Sequence, residues 1–139
     1  RPEVAQRMDE RRRQVYRDGY VTDGWGRVRW VPGIYSDVDE VRERSVRETI
    51  NSPIQGFAAG LIKRAMVSIS KRLGPEGFRA KMLLQVHDEL VFECPRDEVR
   101  RLFELVKSEM ESAADIGVPL TVTAKSGDRW GSLAELGVE

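Results

Sequence analysis

The chain has 139 residues, 40% apolar and 33% charged, enough for one domain, or a large part of one, that buries a core without disulfides. Its single cysteine, Cys94, excludes an internal disulfide or a cysteine-rich zinc site and fits a reducing compartment; no apolar run reaches bilayer length, and no signal-peptide pattern opens the chain. Net charge is zero, yet residues 1–72 carry 15 Lys and Arg against 10 Asp and Glu while residues 73–139 carry 8 against 13, an asymmetry that suits a polyanion at one end and cations at the other, or simply solvated helix faces.

Arg1 in place of Met is read as the start of a piece of something longer. No repeat or low-complexity stretch is present. Residues 3–18 predict a helix with Val4, Met8, Val15 and Tyr16 on its buried side, ended by Gly19 as a C-cap. Residues 20–22 and 27–31 then read as a β-hairpin around Asp23-Gly24, with a loop that can exceed two residues because Trp25-Gly26 follow. Ser36 and Asp37 offer capping chemistry, with acidic residues three positions beyond each. A helix over about 38–51 follows, is kinked or broken near Pro53, and resumes from Ile54 to about Leu73 with Ile62, Ala65, Met66 and Ile69 as an apolar stripe. Gly74, Pro75 and Gly77 close it.

Residues 80–93 hold two apolar runs around His87-Asp88: strand, turn, strand. An amphipathic helix is predicted from Asp97 to about Asp115, with Val99, Leu102, Phe103, Val106 and Met110 on one face. Leu120 to Ala124 alternate as a last strand, and the tail reads as a turn followed by short helix or coil. Helices on one face of an antiparallel sheet make this an α+β arrangement.

Two constellations could carry chemistry. The hairpin tip places His87, Asp88 and Glu89 together without the glycine that tight turns favour. Carboxylates on a rigid strand end suit a hard divalent cation such as magnesium; the bland alternative is a solvated acidic turn. On the preceding helix, Arg47, Asn51 and Gln55 lie at i, i+4 and i+8, one face if the helix is continuous. All three can donate hydrogen bonds, and the duplex minor groove offers acceptors at every base pair; the alternative is a polar solvent face, and a kink at Pro53 would rotate Gln55 away. Arg11, Arg12, Arg13, Arg27 and Arg29 could touch phosphates or merely be solvated. Trp25, Trp30 and Trp130 are read as packing residues. Cys94 lacks a partner that would make it a nucleophile, and neither a phosphate-binding glycine loop nor a Ser-His-Asp arrangement is present.

Together these residues resemble the family A (DNA polymerase I type) DNA polymerases. NSPIQG at 51–56 is similar to the end of that family's minor-groove helix, and LLQVHDELVFE at 83–93 to its motif C. The GYV…GRVRWVP segment at 19–32 and VPLTV…GDRW at 118–130 fall in the family's order. The resemblance implies a C-terminal palm segment: residues 1–35 a helix and hairpin leading out of the fingers, residues 36–139 an antiparallel palm sheet with the motif C hairpin packed on helices, one of them long and kinked.

It implies that Asp88 is the motif C aspartate for magnesium, with Glu89 a secondary carboxylate and His87 near the primer 3′ end. Arg47, Asn51 and Gln55 would then follow the minor groove, and Arg29 would contact the primer–template. The implied reaction is attack of a primer 3′-hydroxyl on the α-phosphate of a deoxynucleoside triphosphate, with two magnesium ions. The implied location is the cytoplasm of a bacterial or virus-infected bacterial cell, at the nucleoid, with no membrane. The second catalytic aspartate, in motif A, and the fingers helix are absent from the chain, so it is expected to be inactive without the missing N-terminal part. The alternatives are a non-catalytic palm remnant that grips primer–template duplex, and a structural fragment with neither property. Phe57-Ala58-Ala59-Gly60 stand where the family usually has TAAD, and Lys125 where an apolar or small residue is usual, departures that point to a divergent branch, viral or otherwise.

Overall fold

The structure is a computed structural model and describes residues 2–137. The chain divides into two compact units, Arg1–Gly60 and Leu61–Glu139, taken here one at a time. One helix belongs to both.

In the first unit, α1 (Pro2–Asp18) ends where Gly19, at φ 75°, donates its amide to Val15 O at 2.8 Å. Only glycine adopts this left-handed C-cap without strain. Of the predicted buried side of α1, Val15 alone is buried. Val4, Met8 and Tyr16 are exposed, because only the last turn of the helix meets the small core of Val15, Val21, Val31 and Ile34. Strands β1 (Tyr20–Thr22) and β2 (Val28–Trp30) pair antiparallel with Tyr20 opposite Trp30. The hairpin is as expected, with the longer of the two loops. Asp23 organises that loop, its Oδ1 accepting from the amides of Trp25 (2.8 Å) and Arg27 (3.0 Å), an Asx turn of the kind aspartate favours. A 3₁₀ turn over Pro32–Tyr35 carries the chain to α2.

Helix α2 (Asp39–Leu73) runs through Pro53 as one helix, so of the kink or break expected there the break does not occur. Proline removes one amide, leaving Thr49 O without its partner in the ladder, and the helix continues on either side. Acidic Asp39 and Glu40 in its first turn and basic Lys71 and Arg72 in its last suit the helix dipole. Along its inner face in the first unit lie Ser45, Thr49, Pro53 and Gly60, all buried. The two buried hydroxyls are satisfied within the helix, Ser45 Oγ donating to Val41 O and Thr49 Oγ1 to Ser45 O, both at 2.9 Å.

In the second unit, Ala65, Ile69 and Leu73 of α2 pack with Ala80, Leu102, Leu105, Val106 and Ala113 into the larger core. Strands β3 (Lys81–Val86) and β4 (Glu89–Glu93) pair antiparallel from Lys81 opposite Glu93 to Val86 opposite Glu89, with a bulge at Leu83. Helix α3 (Val99–Glu111) follows a 3₁₀ turn over Arg96–Glu98. It stops about four residues before the predicted end, and Leu105, missing from the predicted face, is buried on it. Among the described residues the strands form three separate two-stranded ladders and no single sheet, the third ladder being β5 (Lys125–Ser126) with β6 (Ala134–Glu135). The predicted strand at 120–124 has no ladder. Alternation marks a segment fit to be a strand, but a strand needs a neighbour's backbone, and Val122 N instead donates to Glu111 Oε1 at 3.0 Å. The α+β class with a motif C-like hairpin beside helices stands. No helix among the described residues is long and apolar enough to cross a membrane.

Candidate nucleic-acid and metal interface

The hairpin tip is a two-residue turn, His87-Asp88, between paired Val86 and Glu89. His87 alone among the described non-glycine residues has positive φ, 53°. Histidine tolerates this region better than most side chains, and Gln85 Nε2 donates to His87 O at 2.9 Å, bracing the turn. The result holds Asp88 and Glu89 exposed at the end of a rigid ladder. A hard cation would find suitable oxygens here. Yet no group of three or more His, Cys, Asp or Glu among the described residues could hold a metal ion, and consecutive side chains at a strand end diverge. The donor set fits magnesium in kind but not in number.

The second constellation is brought together by the continuity of α2. Arg47, Asn51 and Gln55 are all exposed on the helix face opposite Ser45, Thr49 and Pro53. Arg47 Nη1 lies 3.9 Å from Glu43 Oε2, and Arg29 Nη2 lies 3.3 Å from Glu48 Oε2. Exposed pairs of this kind contribute about 0.2–1 kcal/mol, too little to hold either arginine back from a phosphate. Arg29 and Gln55 line one concavity of about 300 Å³ together with Arg27, Ser52 and Gly56. Arg27, by contrast, is engaged: its Nε lies 2.8 Å from Asp23 Oδ2 and its Nη2 donates to Gly56 O.

Trp25 is a packing residue as expected, stacked on Phe57 with centroids 4.9 Å apart and planes at 7°. Trp30 and Trp130 are not: they are 69% and 57% exposed. Trp30 meets only one ring, the edge-to-face partner Tyr20 at 5.1 Å. Burial pushes the Cys94 thiol pKa up, with Glu98 and Asp97 adding to it, the opposite of an activated nucleophile.

Sequence reasoning passed over Glu98. It is buried although charged, and accepts from Arg79 Nε (2.8 Å), from the Arg79 amide and from the Ala80 amide (3.2 Å). The Arg79 side chain, first among these, holds its carboxyl below the usual range against the opposing effect of burial. This anchors the entry to β3. Glu109 is similarly lowered by Ser68 and then Arg72, fixing α3 to the end of α2. A charged residue just ahead of an apolar helical run was the available signal for Glu98, but it is indistinguishable in sequence from a solvated first turn.

The model of DNA polymerase family A matches residues 1–132. DNA polymerase I of Geobacillus stearothermophilus is 44% identical over 129 residues, 93% of this chain and 15% of that protein. The thermostable DNA polymerase I of Thermus thermophilus is 46% identical over 119 residues, 86% of this chain and 14% of that protein. The structure is similar to the polymerase domain of Pol1 from M. smegmatis, solved in complex with DNA primer-template and dNTP, with a TM-score of 0.77 and 40% identity over 81% of this chain and 20% of that one. The chain thus spans about a seventh of the length of the DNA polymerase I relatives it matches. Over that stretch, hairpin tip and exposed helix row included, it belongs to DNA polymerase family A.

Proposed function

We propose that this chain is the C-terminal palm segment of a DNA-directed DNA polymerase. In this reading it supplies one metal-binding carboxylate and part of the grip on the primer–template. The observation that carries the reading is the family match over residues 1–132, which contains a two-residue turn presenting Asp88 at a braced hairpin tip.

Asp88 is the magnesium ligand of this segment, Glu89 a supporting carboxylate beside it, and His87 a contact to the primer strand near its 3′ end. Two magnesium ions, when bound, would neutralise phosphate charge and favour the alkoxide form of the primer hydroxyl. The chain's own residues position. Arg47, Asn51 and Gln55 donate to minor-groove acceptors present at every base pair, which senses duplex shape while staying almost blind to sequence. Arg29 contacts the primer–template backbone. The 3′-hydroxyl oxygen bonds to the α-phosphorus of the deoxynucleoside triphosphate, the bond to the β-phosphate oxygen breaks, and pyrophosphate leaves.

Asp88 alone would offer too few oxygens to hold a metal pair, so in this reading catalysis requires a motif A aspartate and a fingers helix from the N-terminal part of the polymerase. The proposed setting is the cytoplasm of a bacterium or virus-infected bacterium, at the nucleoid. Primer extension tests the reading: the chain alone is inactive, and mixing it with a polypeptide supplying motif A and the fingers gives magnesium-dependent extension. Salt-sensitive duplex binding without extension in that mixture would favour the non-catalytic palm remnant.

A further inference from the structure

We infer that the Trp25 loop is a clamp that positions Gln55 on α2 for duplex contact, an inference that rests on the minor-groove reading above. Pro53, which lies between Asn51 and Gln55, cannot donate to Thr49 O, so the donor row runs across a missing rung of the helix. The next turn is where another element takes hold. Trp25 Nε1 donates to Phe57 O at 2.8 Å, and Arg27 Nη2 donates to Gly56 O. These two carbonyls immediately follow Gln55. The Trp25 indole lies flat on the Phe57 ring.

The fit is tight from both sides. A Cβ on Gly24 would meet Phe57 Cδ2 at 2.5 Å, one on Gly56 would meet Asp23 Oδ2 at 2.8 Å, and one on Gly60 would strike the Trp25 indole nitrogen. Asp23 pre-forms the loop by accepting from the Trp25 and Arg27 amides and from Arg27 Nε. Phe57 and Gly60 both lie on the turn of α2 that follows Gln55. Here they form the floor of the clamp: a large ring to stack on, and a missing side chain to let the indole in.

A double-mutant cycle on the full chain tests this, reading primer–template duplex affinity by fluorescence anisotropy. Gln55→Ala is expected to weaken binding by about tenfold, the loss of one or two good hydrogen bonds. Trp25→Ala should weaken it comparably, and the double variant should be no weaker than either single one. Trp25→Phe keeps the stack but not the indole donor, and should recover part of the loss. Circular dichroism confirms that each variant keeps its helices. Losses that multiply in the double variant, or an unchanged Trp25→Ala beside a weakened Gln55→Ala, overturn the clamp and leave the minor-groove reading standing. An unchanged Gln55→Ala overturns both.

Discussion

Asp88 shows how little of a site one residue carries. Its chemistry is right for magnesium, its position at a hairpin tip is fixed by the His87 turn, and among the described residues no further carboxylate or histidine completes a cluster. Glu98 is the opposite case, a carboxylate whose role is structural. Its folded pKa is lowered chiefly by Arg79, so its stabilising contribution is present above the unfolded value of about 4.3 and is lost as pH falls through the folded value. Glu109, lowered by Ser68 and Arg72, acts in the same direction. Urea midpoints measured between about pH 5 and pH 3 should therefore fall with pH. Glu98→Gln should have a lower midpoint at neutral pH and a flatter decline. A Glu98→Gln profile parallel to the parent's would contradict this assignment. Arg47 belongs to this scale too. If it meets a phosphate or groove edge, Arg47→Ala should reduce the salt slope of duplex binding by about one; an unchanged slope would return it to the solvent.

Among the elements, α2 is the one that carries the row Arg47, Asn51 and Gln55 of the first unit. Its 35 residues read in sequence as a long helix kinked or broken near Pro53, because proline removes a ladder hydrogen bond. The continuation becomes intelligible only with the clamp, the small inner residues and the hairpin loop in view. Gly60 measures that packing. Alanine there should gain about 1 kcal/mol in helix propensity. It should lose about 1–3 kcal/mol from the forced shift of Trp25, about 1 kcal/mol from the Trp25–Phe57 hydrogen bond and about 0.5–1.5 kcal/mol from the stack. The loss wins: Gly60→Ala should lower stability by about 1.5–4.5 kcal/mol in denaturant unfolding, with a red-shifted tryptophan emission. A stabilised variant would show that the indole yields freely.

Much of this was legible from periodicity and turn chemistry. The Gly19 cap, the two hairpins, the amphipathic α3 and the exposed row Arg47, Asn51 and Gln55 follow from local rules. What failed needed a partner to decide it. Val4 and Met8 have the spacing of a buried stripe but no core beneath them, Trp30 and Trp130 have the size of packing residues but stay largely exposed, and residues 120–124 alternate without a strand to pair with. The clamp was hidden for the same reason, since Trp25 and Gly60 are 35 positions apart and no local pattern joins them.

For the molecule as a whole, the charge asymmetry follows the proposed division of labour. The more basic sequence carries the duplex-facing row, and the more acidic sequence carries the metal-binding tip. The chain spans about a seventh of the length of the DNA polymerase I relatives it matches. The most direct measurement is magnesium-dependent primer extension by this chain mixed with a polypeptide supplying motif A and the fingers, beside the same mixture containing Asp88→Asn. The account predicts extension in the first and a loss of at least about a hundredfold in the second. Equal extension with Asp88→Asn, or robust extension by the pure chain alone, would contradict it.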